Sequence, residues 1–180
     1  MSSFTNIDWL PEAGLKPDQK FYFLDSIAEK IEITLSTGEQ YAGQTKIKLS
    51  KEKLAEIVVM TKKGRPEKAK IALQYYLDYL NKALAEQNNE DASPKDKNHL
   101  KFLNAILEHR YILGIEYTEL SEHAAHEIIE RTNANLMLLY KQIEVQIPVS
   151  LTDSLFFKKD EVNWIWEIAN ENKVRFKTLD

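Results

Sequence analysis

Histidine and glutamate side chains that could bind a divalent metal ion cluster in the second half of the chain. His123 and His126 are three residues apart, and Glu127 and Glu130 each follow one of them by four residues. Residues three or four apart lie side by side on a helix, so these four side chains would share one face. Imidazole and carboxylate groups bind Zn²⁺ or Fe²⁺. The spacing differs, however, from that of zincins and of di-iron helix bundles.

The apolar residues of the same segment favour a different interpretation of this His/Glu cluster. They follow helical spacing and centre on the opposite side, which leaves the cluster on the face exposed to solvent. These residues are Ala125, Ile128, Ile129, Leu136, Leu139, Tyr140 and Ile143. A metal site on an exposed face lacks the surrounding groups that orient the ligands. We therefore expect an exposed polar face, with no bound metal and no other cofactor.

The sequence contains no motif of a known catalytic class. It has no cysteine, which excludes thiolate zinc sites, iron–sulfur clusters and cysteine nucleophiles. Its five glycines are scattered and form neither a phosphate-binding loop nor a G-x-S-x-G nucleophile motif. The four histidines have no obvious serine and aspartate partners. We therefore expect a non-catalytic protein.

Positive charge is concentrated between residues 45 and 70, although the whole chain has a net charge of −4. The segment holds nine lysine or arginine residues against three glutamates, a net charge of +6. A local positive patch can bind nucleic-acid phosphates even on an acidic protein. The residues that we predict for such binding are Lys46, Lys48, Lys62, Lys63, Arg65, Lys68 and Lys70.

The tripeptide Gly64-Arg65-Pro66 within this basic segment has two interpretations. It resembles the core of an AT-hook, a DNA-binding motif, but Glu67 follows where a hook has basic residues. The same residues suit a turn between two helices, because glycine commonly ends a helix and proline is well placed in a first helical turn. We favour the turn between helices.

Negative charge is concentrated between residues 116 and 131, where five glutamates stand against Arg131 alone. An acidic helical face of this kind can dock a basic protein, because opposite charges steer the two surfaces together. We predict that Glu119, Glu122 and Glu127 contact such a partner.

Aromatic residues supply three further candidates for partner binding. Tyr75 and Tyr79 form a second stripe with Ile71 on a helix whose main apolar stripe lies elsewhere. Trp164 and Trp166 point to different faces of the last predicted helix, so only one of them can be buried in the same core. We predict that Tyr75, Tyr79 and Trp164 contact a partner, and a domain with two core faces is the alternative.

Residues 117–166 resemble the winged helix-turn-helix of the excisionase/MerR-like family, an arrangement found in some antitoxin repressors. The matching residues are Ser121, Glu122, Ala124, Ala125, Ile128, Ile129, Thr132, Leu136, Tyr140, Pro148, Phe157, Glu161, Val162 and Ile165. The resemblance implies a helix in the major groove of DNA and basic residues at the phosphates. The residues that it places there are Asn133, Asn135 and Lys141 in the groove, and Lys158 and Lys159 near phosphates.

The elements that position these residues are expected to be mostly helical. Helical periodicity predicts helices at about 18–30, 51–60, 66–87, 97–113, 122–143 and 160–170. Residues 122–143 fit either one helix or a helix-turn-helix. Alternating apolar and polar residues predict strands at 31–36, 44–49, 145–151 and 174–178. The expected fold class is therefore α+β and helix-rich, with a short β-hairpin near the N-terminus and short antiparallel strands at the C-terminus.

The length of 180 residues fits one domain or two small ones. The polar stretch at 88–96 predicts a linker between a region at 1–87 and a region at 97–180, and a single compact domain is the alternative. The sequence shows neither a signal-peptide pattern nor a long apolar run, so we expect a cytoplasmic protein.

These features together predict a non-catalytic binding protein. One expectation is a nucleic-acid-associated regulator of antitoxin or repressor type, which would use the basic segment and the winged-helix residues. The alternative is a cytoplasmic inhibitor or immunity-type protein, which would neutralise a protein partner through the acidic helical face. We expect a protein partner and no membrane contact, with nucleic acid as a second class of partner, and self-association is left open.

Overall fold

The computed structural model describes residues 3–4, 10–11, 39–87, 92–120 and 123–177. The elements within these ranges are all helical. They are α1 (Glu39–Lys62), α2 (Pro66–Gln87), α3 (Ala92–Thr118), α4 (His123–Glu144), α5 (Val149–Thr152), a 3₁₀ turn (Asp153–Leu155) and α6 (Phe156–Lys177). None of the described helices combines the length and the apolar character that crossing a membrane requires.

The predicted α+β fold class is wrong, because the residues that the structure describes form an all-α protein without a strand. The strand predicted at 44–49 lies inside α1, and the strand predicted at 145–151 is a turn followed by α5. The strand predicted at 174–178 belongs to α6 as far as Lys177. The helix and strand predicted at 18–30 and 31–36 lie outside the described residues.

Two buried lysines explain why residues 44–49 of α1 show the pattern of a strand. Lys46, Leu49, Lys53 and Ile57 are buried and follow one another by three or four residues, which is the spacing of one helix face. Because lysines occupy two of these four positions, the helical period is hidden in the hydrophobicity pattern. What remains visible is the local alternation of Ile47 and Leu49 with polar residues, which is typical of a strand.

A run of β-branched residues explains the second error. Val145, Ile147 and Val149 occupy alternate positions, and such residues favour strands. Of these three, only Ile147 is buried, so the alternation does not define a buried face. The backbone N–H groups of residues 146 and 147 donate to carbonyls in the last turn of α4. The chain thus leaves α4 in a tight turn, and Pro148 precedes the short helix α5.

The chain divides into two compact units. The hairpin unit comprises residues 10–102 and contains α1, α2 and the first part of α3. The C-terminal unit comprises residues 1–9 and 103–180 and contains the rest of α3 with α4, α5 and α6. Helix α3 begins at Ala92, inside the polar stretch that the sequence analysis assigned to a linker. The predicted domain boundaries stay a prediction.

The hairpin of α1 and α2 confirms the predicted helix at 66–87 and the predicted turn at Gly64. Gly64 has a φ of 63°, in the left-handed region that favours glycine. The N–H of Arg65 donates to the carbonyl of Met60 at 2.9 Å, and that of Gly64 donates to Thr61 at 3.0 Å. This is the Schellman arrangement that ends helices. Pro66 then begins α2, where its missing N–H leaves no hydrogen bond unmade.

A buried ion pair lies in the core of the hairpin unit. Lys53 Nζ lies 2.7 Å from Glu56 Oε1, and the two side chains are 0% and 1% exposed. Lys53 Nζ also lies 5.8 Å from the centre of the Tyr75 ring. The apolar core of the unit includes Leu49, Leu54, Ile57, Met60, Leu73, Tyr76 and Leu80. Because water is excluded, the attraction between the two charges offsets part of the cost of burying them.

The packing of α6 against α3 organises the C-terminal unit. Trp166 Nε1 donates to the backbone carbonyl of Arg110 at 2.9 Å. One turn further along α3, a Cβ at Gly114 would lie 2.5 Å from Ile165 Cγ2 and 3.3 Å from Trp166 Nε1. The Tyr117 ring lies 5.4 Å from the Trp166 ring, centre to centre. Glycine at position 114 therefore allows the two helices to approach closely.

Removing one partner of the buried ion pair should be costly. We expect Lys53→Met to lower the free energy of unfolding by about 3–5 kcal/mol, because the buried carboxylate of Glu56 loses its ion pair with Lys53. The double variant Lys53→Met/Glu56→Leu should lose less than the single variant. Urea unfolding measures both. The exposed pair of Lys82 and Asp78 (2.6 Å) is the control, and Lys82→Met should cost less than about 1 kcal/mol. Equal losses for Lys53→Met and Lys82→Met would contradict the argument.

A methyl group at position 114 should separate α3 from α6. We expect Gly114→Ala to destabilise the protein by about 1–3 kcal/mol through overpacking, although alanine is the better helix former. Thermal or urea unfolding gives the size of the loss. Ile165→Ala removes the methyl group that the new Cβ would strike. It should therefore cost less in the Gly114→Ala background than in the wild-type protein, and purely additive losses would argue against the close contact.

Candidate protein-binding surface

Large apolar side chains are exposed mainly in one stretch of the C-terminal unit. Single exposed apolar residues are normal on proteins, whereas a concentration of them marks an interaction surface. Tyr75 is the one example in the hairpin unit among the described residues. The others are Leu138, Val145, Val149, Leu151, Phe156, Phe157 and Trp164.

Two of these aromatic residues lie on the same side of α6. Phe157 and Trp164 are seven residues apart, which is two helical turns, and they are 74% and 60% exposed. The opposite side of α6 supplies the core with Val162, Ile165, Trp166 and Ala169. Since that side is fixed by the packing against α3, the two aromatic rings point away from the core.

The charges beside the two rings are acidic. Asp160, Glu167 and Glu171 are exposed and occupy the same side of α6 as Phe157 and Trp164, because each lies within about a quarter turn of them on the helix. We call these five residues the α6 face. Among the described residues, no lysine or arginine forms an ion pair with its three carboxylates. The α6 face is therefore both aromatic and negatively charged.

Lys158 and Lys159 lie on the flanks of this face and are bound by other residues of the C-terminal unit. Lys158 Nζ donates to Asn104 Oδ1 at 2.5 Å and lies 5.3 Å from the centre of the Phe4 ring. Lys159 Nζ lies 2.7 Å from Glu144 Oε1. Both lysines are half-buried. Neither of these two lysines therefore neutralises the carboxylates of the α6 face.

The exposed apolar surface continues toward the N-terminal end of α6. The Phe156 ring is exposed and meets the Phe157 ring edge to face, with centres 5.7 Å apart. Leu151 and Val149, on the short helix α5 that precedes it, are also exposed. Asp153 adds a further exposed carboxylate to this stretch.

The structure divides the predicted nucleic-acid residues of the basic segment into two groups. Lys46 is buried, and its burial, helped by nearby Lys82, lowers its pKa. Lys48 is exposed and lies 3.9 Å from Glu52, while Lys70 pairs with Glu67 at 2.7 Å. The remaining basic residues are exposed at the turn between α1 and α2. They are Lys62, Lys63, Arg65 and Lys68.

The residues that the winged-helix resemblance assigned to DNA contacts lie along one continuous helix and the flanks of α6. Helix α4 runs from His123 to Glu144, so the described residues contain no turn between two shorter helices. Asn133 is buried and accepts a hydrogen bond from Arg110. Asn135 donates to a backbone carbonyl of its own helix. Of the five, Lys141 is exposed, and Lys158 and Lys159 are bound as described above.

The acidic and metal-binding candidates of α4 are dispersed. Glu119 and Glu127 are exposed, Glu122 lies outside the described residues, and the side chain of His123 is likewise not described. Glu130 accepts a short hydrogen bond from the Tyr117 hydroxyl, which with burial raises the pKa of that phenol. The His126 ring lies against the Tyr117 ring, with centres 4.5 Å apart. The described residues contain no group of three that could hold a metal ion.

Of the three aromatic candidates, Trp164 lies on the α6 face, Tyr75 is half-exposed, and Tyr79 is buried. Phe157 and the acidic residues of the face were not predicted as partner contacts, because the last predicted helix begins at residue 160. The seven-residue spacing of Phe157 and Trp164, opposite Val162 and Ile165, was a signal that could have found the face.

Comparison with known proteins gives a family but no function. Neither curated proteins nor solved structures include a match to the chain. One family model matches residues 14–175, which is most of the chain. The protein therefore belongs to the family described as "Domain of unknown function (DUF5667)".

Proposed function

We propose that this protein is a non-catalytic binding protein that binds a basic protein partner through the α6 face. The observation that carries the proposal is the exposure of Phe157 and Trp164 beside the exposed carboxylates of Asp160, Glu167 and Glu171, among the side chains of α6 that the structure describes. This resembles the inhibitor or immunity-type expectation, with the acidic surface on α6 instead of on residues 116–131.

The proposal assigns different roles to the rings and to the carboxylates. Tryptophan and other large aromatic residues dominate binding energy when a partner covers them, because they bury a large apolar area at little entropic cost. The surrounding carboxylates of Asp160, Glu167 and Glu171 steer a positively charged partner and exclude acidic ones. A partner that fits is therefore a basic segment with apolar side chains, such as one face of an amphipathic helix.

Two matched synthetic peptides test this partner chemistry. Both are amphipathic helices with the same leucine pattern, and one has lysine where the other has glutamate. We expect isothermal titration calorimetry to detect binding of the lysine peptide alone. Trp164→Ala should weaken that binding by about 30-fold, which corresponds to about 2 kcal/mol. Equal binding of both peptides would contradict the charge argument, and unchanged affinity in Trp164→Ala would contradict the location.

Charge reversal tests whether the carboxylates act locally. We expect Asp160→Lys/Glu167→Lys to abolish the preference for the lysine peptide. The control Glu119→Lys/Glu127→Lys changes the net charge equally at exposed positions away from α6 and should keep the preference. If both double variants lose the preference equally, the net charge of the protein causes the preference and the α6 face does not. A wild-type dimer in sedimentation that becomes monomeric in Trp164→Ala would assign the face to a second copy of the chain and refute the proposal.

Nucleic-acid binding at the turn between α1 and α2 is a second candidate, favoured by four exposed basic side chains within seven positions. These are Lys62, Lys63, Arg65 and Lys68. Phosphate contacts of this kind depend strongly on salt, because each one releases counterions. This candidate corresponds to the regulator expectation but uses the hairpin unit without the winged-helix residues.

Retention on duplex DNA tests the second candidate. If the turn binds phosphates, Lys62→Glu/Lys63→Glu should weaken retention and lower the slope of log affinity against log salt by about two. The control Lys97→Glu/Lys101→Glu reverses two exposed lysines on α3 and should leave the slope unchanged. Absence of salt-dependent retention by the wild-type protein would rule this candidate out.

A further inference from the structure

An arginine side chain is buried in the C-terminal unit, and none of the described carboxylates lies beside it. Arg110 on α3 is 4% exposed. Among the residues that the structure describes, no aspartate or glutamate oxygen lies within salt-bridge distance of its guanidinium. Burial lowers the pKa of Arg110 to about 10, so the group still carries its charge at neutral pH. A buried cation that lacks a counter-charge is costly, which makes this position unusual for a purely structural residue.

Two asparagines hold one edge of the guanidinium. Arg110 Nε donates to Asn133 Oδ1 at 2.9 Å, and Arg110 Nη2 donates to Asn163 Oδ1 at 3.4 Å. Nε and Nη2 lie on the same edge of the planar group, so the end of the fork that carries Nη1 faces away from both amides. No described residue accepts a hydrogen bond from Nη1. The end of the fork is the part of arginine that binds carboxylates with two parallel hydrogen bonds.

The polar groups around Arg110 are rich in hydrogen-bond donors. Each asparagine accepts a hydrogen bond from Arg110 through its side-chain oxygen. Its NH₂ group can therefore donate to another acceptor. Burial, and after it the carboxylate of Glu144, raises the pKa of Tyr140 to about 12, and Glu144 itself lies 2.7 Å from Lys159. Since Lys159 and Glu144 neutralise each other, the cluster has a net charge of about +1, set by Arg110.

One residue of this cluster lies at the protein surface. Asn163 lies on α6 and is exposed, whereas Asn133 and Tyr140 are buried. A small molecule could thus approach Arg110 beside Asn163, while the 4% exposure of Arg110 leaves little room for a large one. The backbone of Arg110 is held in place, because its carbonyl accepts the hydrogen bond from Trp166.

We propose that Arg110, Asn133 and Asn163 form a binding site for a small monocarboxylate. The carboxylate would supply the missing negative charge and accept hydrogen bonds from the guanidinium fork and from the two amide NH₂ groups. A single negative charge matches the single uncompensated positive charge, whereas a phosphate dianion would bring one charge too many into a buried position. The site does not depend on the α6 face or on the partner proposed for it.

Acetate is the probe that tests this site. We expect the melting temperature of the whole protein to rise with acetate concentration and to reach saturation, compared with chloride at equal ionic strength, because acetate binds the native state alone. Phosphate should give a smaller rise. Equal responses to acetate and chloride would overturn the proposal, and tighter binding of phosphate than of acetate would overturn its choice of a monocarboxylate.

Two variants test whether acetate binds at Arg110. Arg110→Gln should lower the affinity for acetate by about tenfold or more, whereas Arg131→Gln, at an exposed position of α4, should keep it. Because Arg110→Gln could fail to fold, Asn163→Ala provides a second test at an exposed position. It should retain the native circular dichroism spectrum and weaken acetate binding. Saturable acetate binding that is unchanged in both Arg110→Gln and Asn163→Ala would place the ion elsewhere and overturn the assignment.

Discussion

The contact between α3 and α6 determines what the C-terminal unit buries and what it exposes. Trp166 donates to the carbonyl of Arg110, and Gly114 leaves space for Ile165 one turn away. These contacts fix the rotation of α6 about its axis. Because each residue of a helix advances by 100°, a buried Trp166 requires an exposed Trp164. The same contact also holds the backbone of Arg110 in place, so the α6 face and the cluster around Arg110 both depend on it.

Charge gives the two units different capacities for binding. In the hairpin unit two of the described lysines are buried, and four of the exposed basic residues gather at the turn between α1 and α2. In the C-terminal unit Lys158 and Lys159 are bound to Asn104 and Glu144, so these two lysines do not neutralise the carboxylates of the α6 face. The net charge of −4 therefore averages two surfaces of opposite sign. Membership of the DUF5667 family adds no function to either surface, so the proposals rest on their chemistry.

Local sequence signals predicted α2 and its boundaries, because Gly64, Pro66 and a regular apolar stripe all act within a few residues. The same reasoning found the helix at 51–60 but failed for the first part of α1, where Lys46 and Lys53 occupy core positions and hide the helical period. Trp164 was predicted as a contact residue, since two nearby tryptophans cannot share one core. The cluster around Arg110 was not predictable, because its hydrogen bonds join residues 23 and 53 positions apart that only the tertiary fold brings together.

The most direct test of the α6 face is a nuclear magnetic resonance titration of the labelled protein with the lysine peptide. The two indole N–H signals of α6 serve as internal reporters, because Trp164 is exposed and Trp166 is bound to the Arg110 carbonyl. The account predicts that the Trp164 indole and the amides around Asp160 and Glu167 shift on binding while the Trp166 indole does not. Shifts confined to residues 116–131 or to the turn between α1 and α2 would contradict it.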